Sequence, residues 1–330
     1  MGVYMTSGPS PMLCSCSKDS FLKVLQLEPT DTSAYQISVR RCFKPSDPNP
    51  VSACCVSKDG RIVFAACYDN IIYSYSILNA CVVGRLQAHD DSVTSLAIDS
   101  SGKYLISGSC DASVKVWKIS EETGELEGIL ELYEHESPVI SVAINDSNTF
   151  IAAGAEDGSL VVWSTNLKTR QSQLAFSKLI STAARRPLTS VRWIPSTNTL
   201  LNSQIGFTTN KLICSSGDGL LVCLDSTGKL FAATKIQPSS DANSRSTFNQ
   251  PVNSMISVNT LLIDQRGIIY CGCDDSTIRI LFIEKGYLKE LYVQYDLHHG
   301  VTTMTLNYEE TMLVSSGEDG GINVWKLELE

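Results

Sequence analysis

Three stretches of the chain read alike: KYLISGSCDASVKVWKI (103–119), TFIAAGAEDGSLVVWST (149–165) and TMLVSSGEDGGINVWKL (311–327). Each is a short apolar run, a polar turn carrying an Asp, and a second apolar run that reaches a Trp six positions after that Asp. Four more turns keep the Asp and set an apolar or aromatic residue at the same distance. The full set is Asp19/Leu25, Asp69/Tyr75, Asp111/Trp117, Asp157/Trp163, Asp218/Leu224, Asp275/Leu281 and Asp319/Trp325. Successive Asp residues lie 50, 42, 46, 61, 57 and 44 positions apart. A unit of this length, repeated seven times, cannot bury its apolar face alone and has to stack on its neighbours.

Alternation in VKVW, VVW and INVW is that of strands, whose side chains point to opposite faces in turn. Reading outward from each turn predicts an all-β, seven-bladed β-propeller with blades of four antiparallel strands, innermost first. Blade three, for example, is expected at 92–98, 103–109, 113–119 and 129–133. Insertions at 120–128, 196–209 and 236–251 break the period, and no stretch reads as a long helix. Blade one shows strands only near 12–16, 21–27 and 33–43, and blade seven only near 301–307, 311–317 and 321–328, so the first and last blades are expected to be incomplete. Residues 1–10 read as a short irregular leader to a propeller at 11–330, because Pro9 and Pro11 disfavour pairing. On this count the chain is expected to be a fragment or to begin at an internal Met, with its ring left open or poorly closed.

At 43% apolar residues the chain has material for a continuous core. No apolar run is long enough to span a bilayer, and the opening residues lack a secretory pattern. No direct membrane insertion and a cytoplasmic location are therefore expected. A net charge of −9 argues against nucleic acid as a partner. Among the twelve cysteines, Cys14/Cys16 and Cys271/Cys273 are C-x-C pairs inside strands, and Cys54, Cys67, Cys110, Cys214 and Cys223 also fall on strand segments. Zinc knuckles need wider C-x₂₋₄-C pairs. Reduced, buried thiols are expected, with no metal and no cofactor.

In blade three His89 lies 22 residues before Asp111, Ser107 four before it and Trp117 six after it. A turn carboxylate can accept from the imidazole, the imidazole can meet the hydroxyl, and the hydroxyl can reach the indole N–H. Blade seven repeats the set with Ser315, Asp319, Trp325 and His299 (or His298), whereas blade four keeps His135, Asp157 and Trp163 but has Ala153 in place of the Ser. The trio looks like a nucleophilic triad, yet it recurs in separate blades and no G-x-S-x-G elbow accompanies it. Sialidase-type propeller boxes place Trp five residues after Asp, against six here. A structural network and no catalysis are expected; a propeller hydrolase is the alternative of another class.

The repeats resemble WD40 repeats over nearly the entire chain, with the closing dipeptide reduced to WK (117–118, 325–326) or WS (163–164). More narrowly, MLCSCSKDSFLKV (12–24), YDNIIYSYSI (68–77), AHDDSVTSL (88–96), DASVKVW (111–117) and GEDGGINVWKLELE (317–330) are similar to the C-terminal propeller of BEACH–WD40 proteins associated with neutral sphingomyelinase activation. That resemblance implies an intracellular adaptor whose propeller binds a cytoplasmic segment of a tumour-necrosis-factor-type receptor. The alternative within the class is a WD40 substrate-receptor or trafficking-complex subunit. In a propeller the Asp turns and the loops entering each innermost strand gather on one face. The residues before the turns include Lys18, Tyr68, Cys110, Glu156, Asp274 and Glu318, and the entering loops add Asp90, Asp91 and Glu136. This face is expected to bind a protein or short peptide, basic or mixed, through Tyr68 and the carboxylates.

Overall fold

The computed structural model describes residues 2–5, 12–29, 35–45, 48–180, 186–195, 210–237, 255–284, 286–295, 299–307 and 309–327. These form seven antiparallel sheets, six of four strands and one of three. Blade one is β1 (Gly2–Met5), β2 (Met12–Cys16), β3 (Leu22–Pro29) and β4 (Tyr35–Phe43); blade two is β5 (Val51–Val56), β6 (Ile62–Cys67), β7 (Ile71–Ser76) and β8 (Cys81–Gln87). Blade three is β9 (Val93–Ile98), β10 (Tyr104–Ser109), β11 (Ser113–Ile119) and β12 (Leu126–Tyr133); blade four is β13 (Val139–Ile144), β14 (Phe150–Ala155), β15 (Ser159–Asn166) and β16 (Gln171–Leu179). Blade five is β17 (Leu188–Trp193), β18 (Lys211–Ser216), β19 (Leu220–Asp225) and β20 (Leu230–Lys235); blade six is β21 (Val258–Ile263), β22 (Ile268–Cys273), β23 (Thr277–Glu284) and β24 (Tyr287–Tyr295). Blade seven holds β25 (Val301–Leu306), β26 (Met312–Gly317) and β27 (Ile322–Lys326). Among the described residues no helix is long and apolar enough to cross a membrane.

The repeated Asp has a local cause. Oδ1 accepts the backbone N–H two residues on in six turns, from Phe21 (3.0 Å), Ile71 (3.2 Å), Ser113 (2.9 Å), Ser159 (3.0 Å), Thr277 (3.2 Å) and Gly321 (3.0 Å). The residue after every turn Asp has a positive φ, from 64° at Ala112 and Ser276 to 83° at Gly158. A short side-chain acceptor that mimics a backbone turn is what such a reversal selects. Gly108 follows from packing instead, since a Cβ there would lie 2.6 Å from Val139 Cγ1 of the next blade.

Apolar side chains between the blades make seven buried clusters, one at each blade–blade contact. The last of these closes the ring, with Met5, Leu13 and Leu25 of blade one against Met312 and Val314 of blade seven. This corrects two expectations. Blade one is not short of its innermost strand, because Gly2–Met5 pairs with β2 in register Gly2↔Cys16 to Met5↔Leu13, ahead of the prolines that were read as forbidding it. The ring is closed rather than open, and part of the expected leader is a strand. Among the described residues blade seven does have three strands. Insertion 196–209 and most of 236–251 lie outside the described residues, while 120–128 is shortened because β12 already begins at Leu126.

Candidate functional site

Blade three holds a complete chain of side-chain hydrogen bonds. His89 Nδ1 lies 2.9 Å from Asp111 Oδ2, its Nε2 lies 2.7 Å from Ser107 Oγ, and the Trp117 indole N–H donates to Ser107 Oγ at 2.8 Å. A carboxylate only accepts, so the ring proton sits on Nδ1 and Nε2 receives the Ser107 hydroxyl proton. Burial lowers the His89 pKa and outweighs the Asp111 carboxylate, which keeps the imidazole neutral. Burial raises the Asp111 carboxyl, but the hydroxyl and amide of Ser113 and the Asp90 amide more than offset it, and the net shift is downward. Ser107 is fully buried and its oxygen already accepts the indole, so no substrate carbonyl can reach it. The trio ties the turn Asp to the two strands that flank it.

Blade four lacks the hydroxyl. His135 Nδ1 lies 3.1 Å from Ser159 Oγ, but Nε2 faces the Ala153 backbone and makes no hydrogen bond of normal geometry. His135 still packs edge-on to Trp163, with centroids 5.9 Å apart. In blade seven Trp325 donates to Ser315 Oγ at 3.0 Å, and His299 is exposed, unlike His89; His298 lies outside the described residues. Two blades without a His, blades two and six, serve the Asp from within the next strand. Tyr73 O–H donates to Asp69 Oδ2 at 2.8 Å, and the buried Arg279 donates to Asp275 Oδ2 at 3.0 Å and to Glu290 at 3.1 Å. Both sit four residues after the turn Asp, a spacing visible in sequence.

Two further polar devices escaped the sequence reading. At the opposite end of the blades, Asp99 Oδ1 accepts the amides of Lys103 and Tyr104, both at 2.7 Å, and Asn145 Oδ1 those of Thr149 and Phe150, both at 2.9 Å. Asn307 does the same for Thr311 and Met312 at 2.8 Å. All three lie 12 residues before a turn Asp, a signal that could have found them. The other device is a bulge at the second residue of the innermost strand, where the register skips Ser52, Thr94, Ile140, Thr189, Asn259 and Thr302. A bulge re-aims its side chain. Thr94 Oγ1 bonds Val139 O at 2.5 Å and Asn259 Nδ2 bonds Val301 O at 2.9 Å, lacing those innermost strands to the next, whereas Ile140 of blade four has no polar group to do so.

The face carrying the Asp turns holds the partner candidates. Backbone bonds tie each turn to the loop entering its own blade: Tyr68 N to Pro50 O (3.1 Å), Cys110 N to Ser92 O (2.9 Å), Glu156 N to Pro138 O (2.9 Å), Asp274 N to Ser257 O (3.0 Å) and Glu318 N to Gly300 O (3.2 Å). Lys18, Tyr68, Asp90, Asp91, Glu136, Glu156, Asp274 and Glu318 are all exposed. Cys110, read as a strand residue, instead sits half-buried in the turn after β10. Burial raises its thiol pKa, and the neighbouring Asp91 and Glu156 carboxylates add to the shift, so carboxylates from two blades converge there. Asp274 is raised as well, by burial first, although the Ser257 amide binds its carboxylate at 2.9 Å. Tyr68 is 46% exposed. Tyr133, 61% exposed at the end of β12, and Met255, 62% exposed before β21, are apolar anchors on this face that the sequence reading missed.

The thiols divide by place. Cys14, Cys16, Cys54 and Cys67 are buried in the cluster between blades one and two, and Cys223, Cys271 and Cys273 in the one between blades five and six, whereas Cys42 and Cys81 are exposed on outer strands. Desolvation pushes the Cys14 and Cys214 thiols up to about 12, so they pack as apolar groups.

Comparison with known proteins follows this geometry. Residues 38–76, 80–118, 127–164 and 289–326 match the WD domain, G-beta repeat. Each match starts in the outer strand of one blade and ends in the third strand of the next. Striatin of Mus musculus is 33% identical over 131 residues, covering 36% of this chain and 15% of its own length. Cell division control protein 4 of Candida albicans is 31% identical over 131 residues, covering 36% of this chain and 18% of its own. Eukaryotic translation initiation factor 3 subunit I of Eremothecium gossypii is 31% identical over 65 residues, 20% of this chain and 19% of that protein. The chain thus spans less than a fifth of the length of these relatives. A crystal structure of the mitotic checkpoint complex contains a chain that superposes with a TM-score of 0.73 over 98% of this chain and 86% of that one, at 15% identity, a likeness of fold alone. With the repeat pattern in its sequence and seven sheets in a closed ring, the chain is a seven-bladed β-propeller that carries WD40 repeats.

Proposed function

We propose that this propeller is a non-catalytic interaction scaffold that takes a basic or mixed peptide, bearing an aromatic or aliphatic anchor, on the face of the Asp turns. WD40 propellers act in general as protein-interaction scaffolds, and the named relatives are diverse. One observation carries the reading: the exposed carboxylates of Asp90, Asp91, Glu136, Glu156, Asp274 and Glu318 share this face with Tyr68, on loops pinned by backbone hydrogen bonds. Complementary charge steers a basic segment there, and an amphipathic ring on a rigid loop costs little entropy to order. Following the resemblance of its sequence, the protein is the propeller of a cytoplasmic BEACH-type adaptor, coupling a tumour-necrosis-factor-type receptor to neutral sphingomyelinase signalling. Neither nucleic acid nor the bilayer is its partner in this reading. The alternative, a substrate-receptor or trafficking-complex subunit, would use the same face.

The test is a peptide-binding assay on the triple variant Tyr68→Ala, Glu156→Lys, Glu318→Lys. Affinity for an Arg-rich peptide with one aromatic residue should fall about tenfold or more at unchanged melting temperature. Binding of the parent protein should weaken as salt rises. If capture survives the triple change and is lost on altering 120–128 or 236–251, the face is wrong.

A further inference from the structure

We propose that Tyr4 and Arg192 form a binding site for a small phosphate oxyanion inside the central channel of the propeller. The channel has a volume of about 430 Å³ and is lined by the innermost strands, including both of these residues. That volume falls within the roughly 300–1,000 Å³ of ordinary ligand pockets. Strand register puts the two side chains at one depth. Tyr4 pairs with Cys14, five residues before Asp19, and Arg192 pairs with Ile213, five before Asp218. By the same count Ala97, Ala143 and Leu262 occupy this depth in blades three, four and six, paired with Ile106, Ala152 and Tyr270. Cys55 and Thr305 hold the same depth in blades two and seven, so the phenol and the guanidinium stand on a belt that is otherwise uncharged.

Arg192 makes no ion pair among the described residues. One of its nitrogens, Nη1, donates to Val191 O at 2.9 Å, which leaves most of its N–H fork unused. Burial lowers its pKa, and no neighbouring carboxylate counters this. A half-buried guanidinium without a counter-charge is costly, and an oxyanion meets its planar fork with paired hydrogen bonds. The hydroxyls nearer the Asp-turn face are poor competitors, because Ser52, Thr94 and Thr189 already donate to backbone carbonyls. Acidic residues gather at that mouth and would repel an anion, whereas Arg192 is the penultimate residue of β17 and lies toward the opposite mouth, where the channel lining includes one carboxylate, Asp146. The site is independent of the peptide-binding face.

The experiment is titration of the whole chain with inorganic phosphate at pH 7 and constant ionic strength, read by phosphorus NMR and by Trp193 fluorescence. Trp193 adjoins Arg192 and also lines the channel. Saturable binding is expected, displaced by sulfate and scarcely by acetate or chloride. Arg192→Gln should weaken it about tenfold or more, and Tyr4→Phe by about threefold to tenfold. Circular dichroism confirms that each variant is folded, and Arg192→Met, which also removes the charge, replaces Arg192→Gln should the latter not fold. No saturable binding to the parent chain would overturn the site. So would undiminished binding by a folded Arg192 variant, which would place the phosphate on surface cations.

Discussion

Blades three and four are the same repeat built to different degrees of completion. Both turn on an Asp whose Oδ1 accepts the amide two residues on, and both bury a Trp six residues after it. In blade three the imidazole is satisfied at both nitrogens, and Thr94 laces the strand to its neighbour. In blade four Ala153 leaves His135 Nε2 without a partner, and Ile140 stands where Thr94 stands in blade three. The two blades nonetheless share one topology and an equally buried interface. Turn chemistry and apolar stacking are therefore sufficient for the blade, and the side-chain network adds stability and rigidity on top. Buried polar networks gain most when every member is satisfied.

The largest expected difference is between Asp111→Ala and Asp157→Ala. Removing Asp111 strips the acceptor from His89, Ser113 and the Asp90 amide at once, at a cost of about 1–3 kcal/mol. Asp157→Ala should cost less, because the chain behind it is already cut. Equal losses in urea midpoint or melting temperature would break the comparison.

Acid should expose the unsatisfied blade next. Burial, only partly offset by Asp157, holds the His135 pKa down from 6.5 to about 4. Between those values the unfolded chain binds more protons than the folded one, so stability is present above about pH 6.5 and is lost as pH falls toward 4. His135→Gln should shallow that decline in a series of urea unfolding curves at stepped pH, while the part due to His89, shifted the same way, persists. An unchanged slope would mean that His135 does not titrate as its burial requires.

The smallest effect sharpens the comparison by repair. Ala153→Ser restores the hydroxyl that blade three has at Ser107 and offers a donor to His135 Nε2, for a gain of about 0.5–1.5 kcal/mol. A loss would show that Ala153 is packed too tightly against the next blade to admit an oxygen.

Much of this protein was legible because its signals are local and repeated. The turn Asp, the apolar pairs and the strand boundaries come from sterics and hydrogen bonds within about twenty residues, so one blade predicts the next. The His89–Ser107–Trp117 spacing could be read for the same reason. Gly2–Met5 could not, since four residues before a proline-rich stretch carry no strand signal of their own and pair because β2 and the blade-seven core await them. Tyr73 and Arg279 were passed over because a lone Tyr or Arg on a strand has many uses, and only the packed blade turns each toward its Asp.

By itself the sequence determined the all-β propeller, its seven turns, the lack of a long helix among the described residues and the carboxylates beside the turns, all of which follow from periodicity and charge. Tertiary structure decided the rest: the closure of blade one on blade seven, the bulges that lace innermost strands, and the placement of Tyr4 and Arg192 at one depth of the channel. Each depends on residues far apart in the chain whose side chains gain a common neighbour only when the ring is complete. No local pattern encodes such a meeting, because the free energy that fixes it belongs to the packed interface and not to either segment.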